Sequence, residues 1–429
     1  MRVRMNASSQ TSPVALALLT GSPVPYKIPL YRMLHGDPRV DFTVIFASSA
    51  GIRPYDDDSF VRGVAWDLDM TEGYRGHFLK RADTSPPLGR YFWSVRDADV
   101  VQALLGRRPD VLWLDGYNSA TYLMGIVTQR ILGGRVVFRE EQTMLHPRSF
   151  AKTIAKEAML RALFRGHHAM YIGTENRRWF EHYGVPRDRL FSAPYSVDND
   201  FFRREAERLL PHKQELRREF GVSDDEGPIV LTVCRLVPKK QPLFTLEVFR
   251  RVRAERRCSL IIAGSGPLEA QMRHEVEARR IPNVHFAGFM NQTEVSRAYA
   301  SADIFTLLSR EHETFGVVVA EAMNFGLPVV VSDRVGCAAD LVSRDFNGHI
   351  TPFDDVQAAA ESLAHLVDHP ARRQSMGLGS AQRIKQWGVE RTAAGVLAAT
   401  AAAVGRERWN RASAGIAGPC DHSFEPMSL

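Results

Sequence analysis

Cysteine is scarce in this chain of 429 residues: Cys234, Cys258, Cys337 and Cys420 stand far apart, with no CxxC pair. That excludes a zinc ribbon, argues against a disulfide scaffold and leads us to expect a cytoplasmic protein. Long apolar runs are missing as well. Val14–Leu19, behind two arginines, is too short for the core of a signal peptide and reads as a first strand, and the Ala-rich run Thr392–Val404 is too short to span a bilayer. Metal-ligand spacing is absent too. His167 and His168 are adjacent, so on a helix their side chains would diverge by about 100°, and His312 has no second ligand at i+4. We therefore expect no metal. Neither sign of charge dominates: 55 Lys+Arg face 49 Asp+Glu, a net +6, and basic pieces such as Arg250–Arg257 have the spacing of a solvated helix face. Such a balance does not support nucleic-acid binding.

What the chain does have is an ordinary globular composition, 45% apolar and 24% charged, and enough length for two or three domains. Short β-branched runs alternate with amphipathic segments, twice. The first series is Val14–Leu19, Asp41–Ala47, Val111–Leu114, Arg135–Phe138 and Ala169–Ile172. The second is Ile229–Cys234, Ser259–Ala263, Val284–Phe286, Ile304–Leu308 and Pro328–Val331. Near-continuous apolar strands separated by helices predict a parallel sheet covered on both faces, an α/β fold present in two copies. Neither opening strand is followed by GxGxxG, which disfavours a dinucleotide-dependent dehydrogenase. The turn-rich stretch 194–224 is the expected boundary, giving domains 1–200 and 201–385. Residues 48–92 break the rhythm and predict an active-site loop or an irregular hairpin, and 409–429 predict a loosely ordered tail.

The densest chemistry lies in Ser309–Asp333, "SREHETFGVVVAEAMNFGLPVVVSD". Glu313 falls in the loop at the carboxyl end of a strand, where open α/β sheets bind ligands. Phe315, Gly316 and Val317 open a helix and would offer uncapped amides to a phosphate or carboxylate. Glu321 follows on that helix, and a carboxylate there could grip a ribose diol. On these residues alone, Glu313 as a helix cap and Glu321 as a surface residue fit equally well.

The segment resembles the EX7E signature of the GT4-type retaining glycosyltransferases, whose fold is GT-B: two Rossmann-like domains facing a cleft, with a C-terminal helix crossing back to the first. The resemblance runs from about Arg235 to Leu397. It implies that Glu313 contacts the donor sugar, that Glu321 holds the nucleotide ribose, and that Phe315, Gly316 and Val317 lie at the donor. It also assigns Arg235 and Lys240 to the donor diphosphate, where two cations would stabilise the leaving group. Read alone they are a basic loop, and Gln241 replaces the usual glycine after the lysine. Gly264 and Gly266 in "IIAGSGP" match the family's strand-end turn, and the loop at Phe289 would approach the nucleobase. In "VGCAADLV", Cys337 and Asp340 replace a glycine and a glutamate. "QWGVERTAAGVL" matches the crossing helix, expected over 386–408, with Trp387 at the crossing. In the first domain, "VPYKIPLYRML", Gly116-Tyr117 and Arg139-Glu140-Glu141 resemble a subgroup common among enzymes building bacterial surface polysaccharides and glycolipids. Arg139, Glu141 and Tyr117 become acceptor or cleft candidates, Arg139 and Glu141 suiting a buried ion pair as well.

The resemblance thus implies a retaining, metal-independent transferase that needs no cofactor. It would move a sugar from a nucleotide diphosphate donor to a saccharide or lipid-linked acceptor. A sugar-nucleotide epimerase of the same architecture is the alternative. If Arg161, Arg165, Arg177 and Arg178 share a face, they would suit peripheral contact with the anionic inner face of the cytoplasmic membrane.

Overall fold

The computed structural model describes residues 12–52, 66, 68–85, 92–145, 150–311 and 313–414, with side chains from 156 onward in the helix that begins at 150. Two wholly parallel sheets organise them. The first contains β1 (Val14–Thr20), β2 (Val40–Phe46), β3 (Gly76–Phe78), β4 (Val111–Asp115), β5 (Arg135–Arg139), β6 (His168–Tyr171) and β7 (Leu190–Ser192), in the order β3-β2-β1-β4-β5-β6-β7. The second contains β8 (Ile229–Val233), β9 (Ser259–Ala263), β10 (Val284–Gly288), β11 (Ile304–Leu307), β12 (Val329–Ser332) and β13 (Gly348–Thr351), in the order β10-β9-β8-β11-β12-β13. Both follow the doubly wound pattern, so each has a crevice where the winding reverses: between β1 and β4, and between β8 and β11. The strands are apolar throughout because helices cover both faces. β1, β4, β8 and β11 are buried along almost their whole length.

Three edge strands depart from the sequence reading. β3 belongs to the 48–92 segment, which was expected to be a loop or hairpin but adds a parallel strand beside β2, with Val44 opposite Gly76. The Arg32 guanidinium fastens that segment by donating to the carbonyls of Asp69 and Glu72 at 2.9 Å. Residues 53–65, 67 and 86–91 of the segment lie outside the described residues. β7 has three residues, too few to show a pattern, and β13 forms from the "NGHI" turn because Gly348–Thr351 pairs with Val329–Ser332.

The helix Val389–Val404 packs against β4, β5, β6 and β7 rather than on the second sheet. Gly395 makes that possible: a Cβ there would stand 1.9 Å from the Ser192 carbonyl oxygen. Thr392 adds hydrogen bonds to the Pro194 carbonyl at 2.8 Å and to Ser196 Oγ at 2.9 Å. A further helix, Arg406–Ser413, occupies the start of the stretch expected to be a loose tail, while 415–429 lie outside the described residues. The helix Asn199–Leu209 opens the second half, capped by Asp198, whose carboxylate accepts from the Phe201 amide at 2.8 Å.

Candidate functional site

The second sheet's crevice is built from the loops after β8 and β11. After β8, Val237 is extended and Pro238–Lys240 forms one 3-10 turn, which turns the Lys240 side chain back over the sheet edge. After β11, Ser309 and Glu313 lie against the same edge, held by the Ser332 hydroxyl donating to the Ser309 carbonyl. Lys240 Nζ and the Glu313 carboxylate form an ion pair whose side chains are only 14% and 10% exposed. The Ser309 hydroxyl donates to the same carboxylate oxygen at 3.0 Å. Burial would push the Glu313 carboxyl up, but the ammonium and the hydroxyl outweigh it and hold the carboxyl below its usual range. Glu313 is therefore a charged acceptor beside a cation. Its backbone also pairs with Val335 and accepts from the Gly336 amide at 3.0 Å, so it does not act as a cap for the helix Val317–Asn324.

Gln241 explains its departure from the family's glycine. It is left-handed, φ 49° and ψ 49°, a conformation for which glycine is the default. Its side-chain amide donates to the carbonyls of Leu308 at 3.0 Å and Phe353 at 2.8 Å. These two bonds offset the backbone cost and tie the Lys240 turn to the end of β11. Arg235 lies in the same loop, half-buried, five residues before Lys240.

The helix Val317–Asn324 begins at Gly316, φ 90°, where a Cβ would lie 2.9 Å from Val335 Cγ1. Phe315 is buried between aromatic rings, 5.6 Å from Tyr195 and 6.4 Å from Trp387. It therefore joins both halves of the chain and the crossing segment. Glu321, partly exposed, accepts from the Tyr299 hydroxyl at 2.7 Å. Burial dominates there, and its carboxyl is pushed up to about 7 against the pull of that hydrogen bond. Glu321 and Glu313 thus belong to separate networks. Gly264 (φ 138°) and Gly266 (φ 153°) carry the turn after β9 against the loop of Arg235. Cβ atoms there would be 1.9 Å from the Cys234 carbonyl and 2.7 Å from the Leu236 carbonyl. Phe289 lies beyond β10 with its ring 6.4 Å from that of Trp66 in the 48–92 segment.

The first crevice holds a second charged cluster, in which Arg139 and Glu141 were expected from the sequence and Lys27 and Asp115 were not. Lys27 Nζ donates to Asp115 at 2.7 Å and lies 3.6 Å from Glu141. Arg139, 2% exposed, stands 3.6 Å from Asp115, donates to the Ala193 carbonyl and lies 4.7 Å over the Tyr195 ring. Arg139 is thus a buried ion-pair member, as one reading allowed, and Lys27 links it to Glu141 through Asp115. The Tyr117 ring packs edge-on against Phe164, 6.2 Å away. Glu140 points elsewhere in the electrostatic sense: burial, then Glu141 and Asp115, hold its carboxyl well above the usual range.

Direct contacts cross the cleft. Asp340 receives the Thr174 amide at 3.0 Å and the Thr174 hydroxyl at 2.6 Å, capping the helix Thr174–His182 from the opposite domain. Arg334 donates to the Leu145 carbonyl. Among the described residues no three His, Cys, Asp or Glu side chains gather so as to hold a metal ion; His312 lies outside them.

Residues 213–383 match the family Glycosyl transferases group 1. The chain is 25% identical to an alpha-D-kanosaminyltransferase of Streptomyces kanamyceticus over 303 residues, 68% of this chain and 76% of that one. It is 31% identical to a GDP-mannose-dependent alpha-mannosyltransferase of Mycobacterium tuberculosis over 209 residues, and there spans about half the length of each chain, 48% and 49%. In fold it is similar to HepE of Anabaena, solved with UDP and glucose: TM-score 0.66, 16% identity, covering 91% of this chain and 100% of that one. The two-sheet architecture is that of the GT-B fold.

Proposed function

We propose, from the match of residues 213–383 to the group 1 glycosyltransferases, that the chain transfers a sugar from a nucleotide diphosphate donor to a saccharide or lipid-linked acceptor in polysaccharide or glycolipid synthesis. The buried Lys240–Glu313 pair carries this reading. It sets a cation and a charged acceptor side by side at the crevice that binds ligands in such sheets. With donor bound, Lys240, together with Arg235, turns to the diphosphate and stabilises the charge that develops on it as the glycosidic bond breaks. Glu313, released from the ammonium, accepts from the sugar's hydroxyls, and Glu321 accepts from the ribose. The reaction is retaining and metal-independent in this reading, with the departing phosphate taking the acceptor's proton and these basic residues doing the electrostatic work.

The test is nucleoside diphosphate release with a panel of sugar nucleotides. Lys240→Ala and Glu321→Ala should each lower transfer by orders of magnitude, and unchanged rates in both would refute the assignment. Isomerised donor without transfer would favour the epimerase instead.

A peripheral membrane contact is a further part of the proposal. Arg161, Arg177 and Arg178 pair with Glu157, Glu181 and Glu175, so they do not form the bare basic face first expected. The helix Ala120–Ile131 offers a better one. Leu123, Val127 and Ile131, at helical spacing, are 47%, 49% and 80% exposed. No acidic residue occurs from 116 to 139, and Arg107, Arg108, Arg130 and Arg135 are exposed where this helix and its neighbour end. Apolar side chains ringed by arginine complement an anionic bilayer. Val127→Ser with Ile131→Ser should abolish flotation with phosphatidylglycerol vesicles; equal retention, or a dimer interface over this face, would refute it.

A further inference from the structure

The two crevices are built on the same short sequence. Val24-Pro25-Tyr26-Lys27-Ile28-Pro29 follows β1, and Val237-Pro238-Lys239-Lys240-Gln241-Pro242 follows β8; both read Val-Pro-x-Lys-x-Pro. The likeness extends to geometry. Each valine is extended (φ −136°, ψ 138° at Val24; φ −121°, ψ 156° at Val237), and each Pro-x-Lys is a single 3-10 turn. In both, the lysine amide donates to the valine carbonyl at 3.0 Å. Each lysine side chain then pairs with a carboxylate supplied from the strand on the other side of the switch point: Asp115 at the end of β4, Glu313 beyond β11. Each has an arginine close by, Arg139 as the last residue of β5, 3.6 Å from Asp115, and Arg235 in the same loop as Lys240.

A lysine buried to 10% exposure on a short turn is a costly way to make a structural ion pair. The group beside it is unfinished in another respect. The Tyr195 hydroxyl is buried and has no hydrogen-bond partner among the described residues, although its ring lies against both Lys27 and Arg139. A buried polar atom without a partner costs stability unless a ligand supplies one. Tyr195 also contacts Phe315, so this cluster faces the donor half across the cleft.

We propose that Lys27, Arg139 and Tyr195 form a second phosphate-binding site, and that the acceptor carries a phosphate on or next to its sugar. In this arrangement Lys27 exchanges Asp115 for the phosphate, as Lys240 exchanges Glu313 for the donor diphosphate, and the Tyr195 hydroxyl donates to a phosphate oxygen. Asp115 and Glu141 are left to accept from the acceptor's hydroxyls. The inference rests on the transferase reading and deepens it by giving the acceptor a chemical class. Such phosphate could belong to a free sugar phosphate or to a phospholipid headgroup bearing a sugar or polyol.

The test uses the full chain saturated with nucleoside diphosphate, so that the Lys240 turn is occupied. Glucose 6-phosphate is titrated against glucose, and digalactosyldiacylglycerol vesicles containing phosphatidylinositol against vesicles of digalactosyldiacylglycerol alone, which carry no phosphate. Binding is read by isothermal titration and by change in melting temperature. The phosphate-bearing probe of one arm should bind and its counterpart should not, and the arm that responds identifies the source. Lys27→Gln combined with Tyr195→Phe removes the cation and the unpartnered hydroxyl while Asp115 keeps the Arg139 guanidinium 3.6 Å away, and should weaken the response about tenfold or more, the loss of a charge-assisted hydrogen bond. Equal binding of phosphorylated and unphosphorylated probes, no binding in either arm, or undiminished binding by the double variant would overturn the proposal. Nucleoside diphosphate release from the donor, followed in the same preparations, separates this failure from failure of the transferase reading.

Discussion

Replacing Lys240 by methionine keeps the length of the side chain and removes its charge. The Glu313 carboxylate then stays in a site where it is 8% exposed, with the Ser309 hydroxyl still donating to it and the Lys239 charge further off. Breaking a buried pair from one side in this way costs about 3–5 kcal/mol, because the surviving ion is desolvated and uncompensated. For a domain of this size each kcal/mol moves the midpoint by about 2–4 °C, so Lys240→Met should melt about 10 °C lower at pH 7.5. Lys240→Met with Glu313→Gln removes the stranded charge and should recover most of that loss. The pH dependence follows from the sign of the shift. In the native protein the Glu313 carboxyl lies below its ordinary 4.5, so the pair's contribution is full above about pH 4.5 and is lost as pH falls through the depressed value. In the variant the same carboxyl titrates upward, and acid relieves it. The gap between wild type and variant should therefore close as pH falls from 7.5 towards 4. Calorimetric melts across that range measure it. A variant within 2 °C of wild type at pH 7.5 (about the shift of a single kcal/mol), or a gap that stays constant in acid, would refute the reasoning.

Glu321 should govern donor affinity near neutrality. Its carboxyl is pushed up to about 7, and in the proposed role the ionised form is the better acceptor for the ribose hydroxyls. KM for the donor should fall as pH rises from 6 to 8 and the Glu321→Gln profile should be flat; a parallel slope in both would exclude the residue. At Gln241, substitution by alanine keeps the left-handed strain and loses both amide bonds, whereas glycine loses the bonds but relieves the strain. Urea melts should show Gln241→Ala more destabilised than Gln241→Gly by about 1 kcal/mol, and equal losses would mean the backbone carries no strain there. Asp340→Ala removes a cap that spans the domains. Hydrogen exchange at Thr174 and the first turn behind it should quicken by about five- to tenfold, the equivalent of a lost N-cap, and unchanged exchange would show that the cap is idle.

Much of the architecture is legible in the sequence because parallel strands buried on both faces must be continuously apolar. The runs at Val14, Val111, Ile229 and Ile304 lie in β1, β4, β8 and β11. What escapes is the sheet edge. β3 and β7 have three residues each, and Gly348–Thr351 looks like a turn because its strand character comes from its neighbour Val329–Ser332. At the site, Lys240 and Glu313 are readable from motif and spacing, and they meet. Asp115 and Lys27 are not, since a lysine in a proline-rich turn and an aspartate ending a strand carry no local sign of burial. The repeated Val-Pro-x-Lys-x-Pro was the available signal. The tie of Asp340 to Thr174 joins residues 166 apart, and no one-dimensional pattern announces it.

The helix Val389–Val404, laid over β4 to β7, makes the first half discontinuous in the chain and so imposes a schedule on synthesis. The ribosome finishes β7 near residue 192, but the helix that covers its sheet is not complete until residue 404. At about 5–20 residues per second, that face waits roughly 10–40 s for its cover. During that interval the second half can fold as a continuous unit, while the first presents Ala193 and the apolar side chains of β4 to β6 to whatever is nearby. A chain cut after residue 200 would hold that state permanently. The shortest segment able to reproduce the first half in isolation is a fusion of residues up to about 198 with 386–414, not any uninterrupted stretch of the sequence.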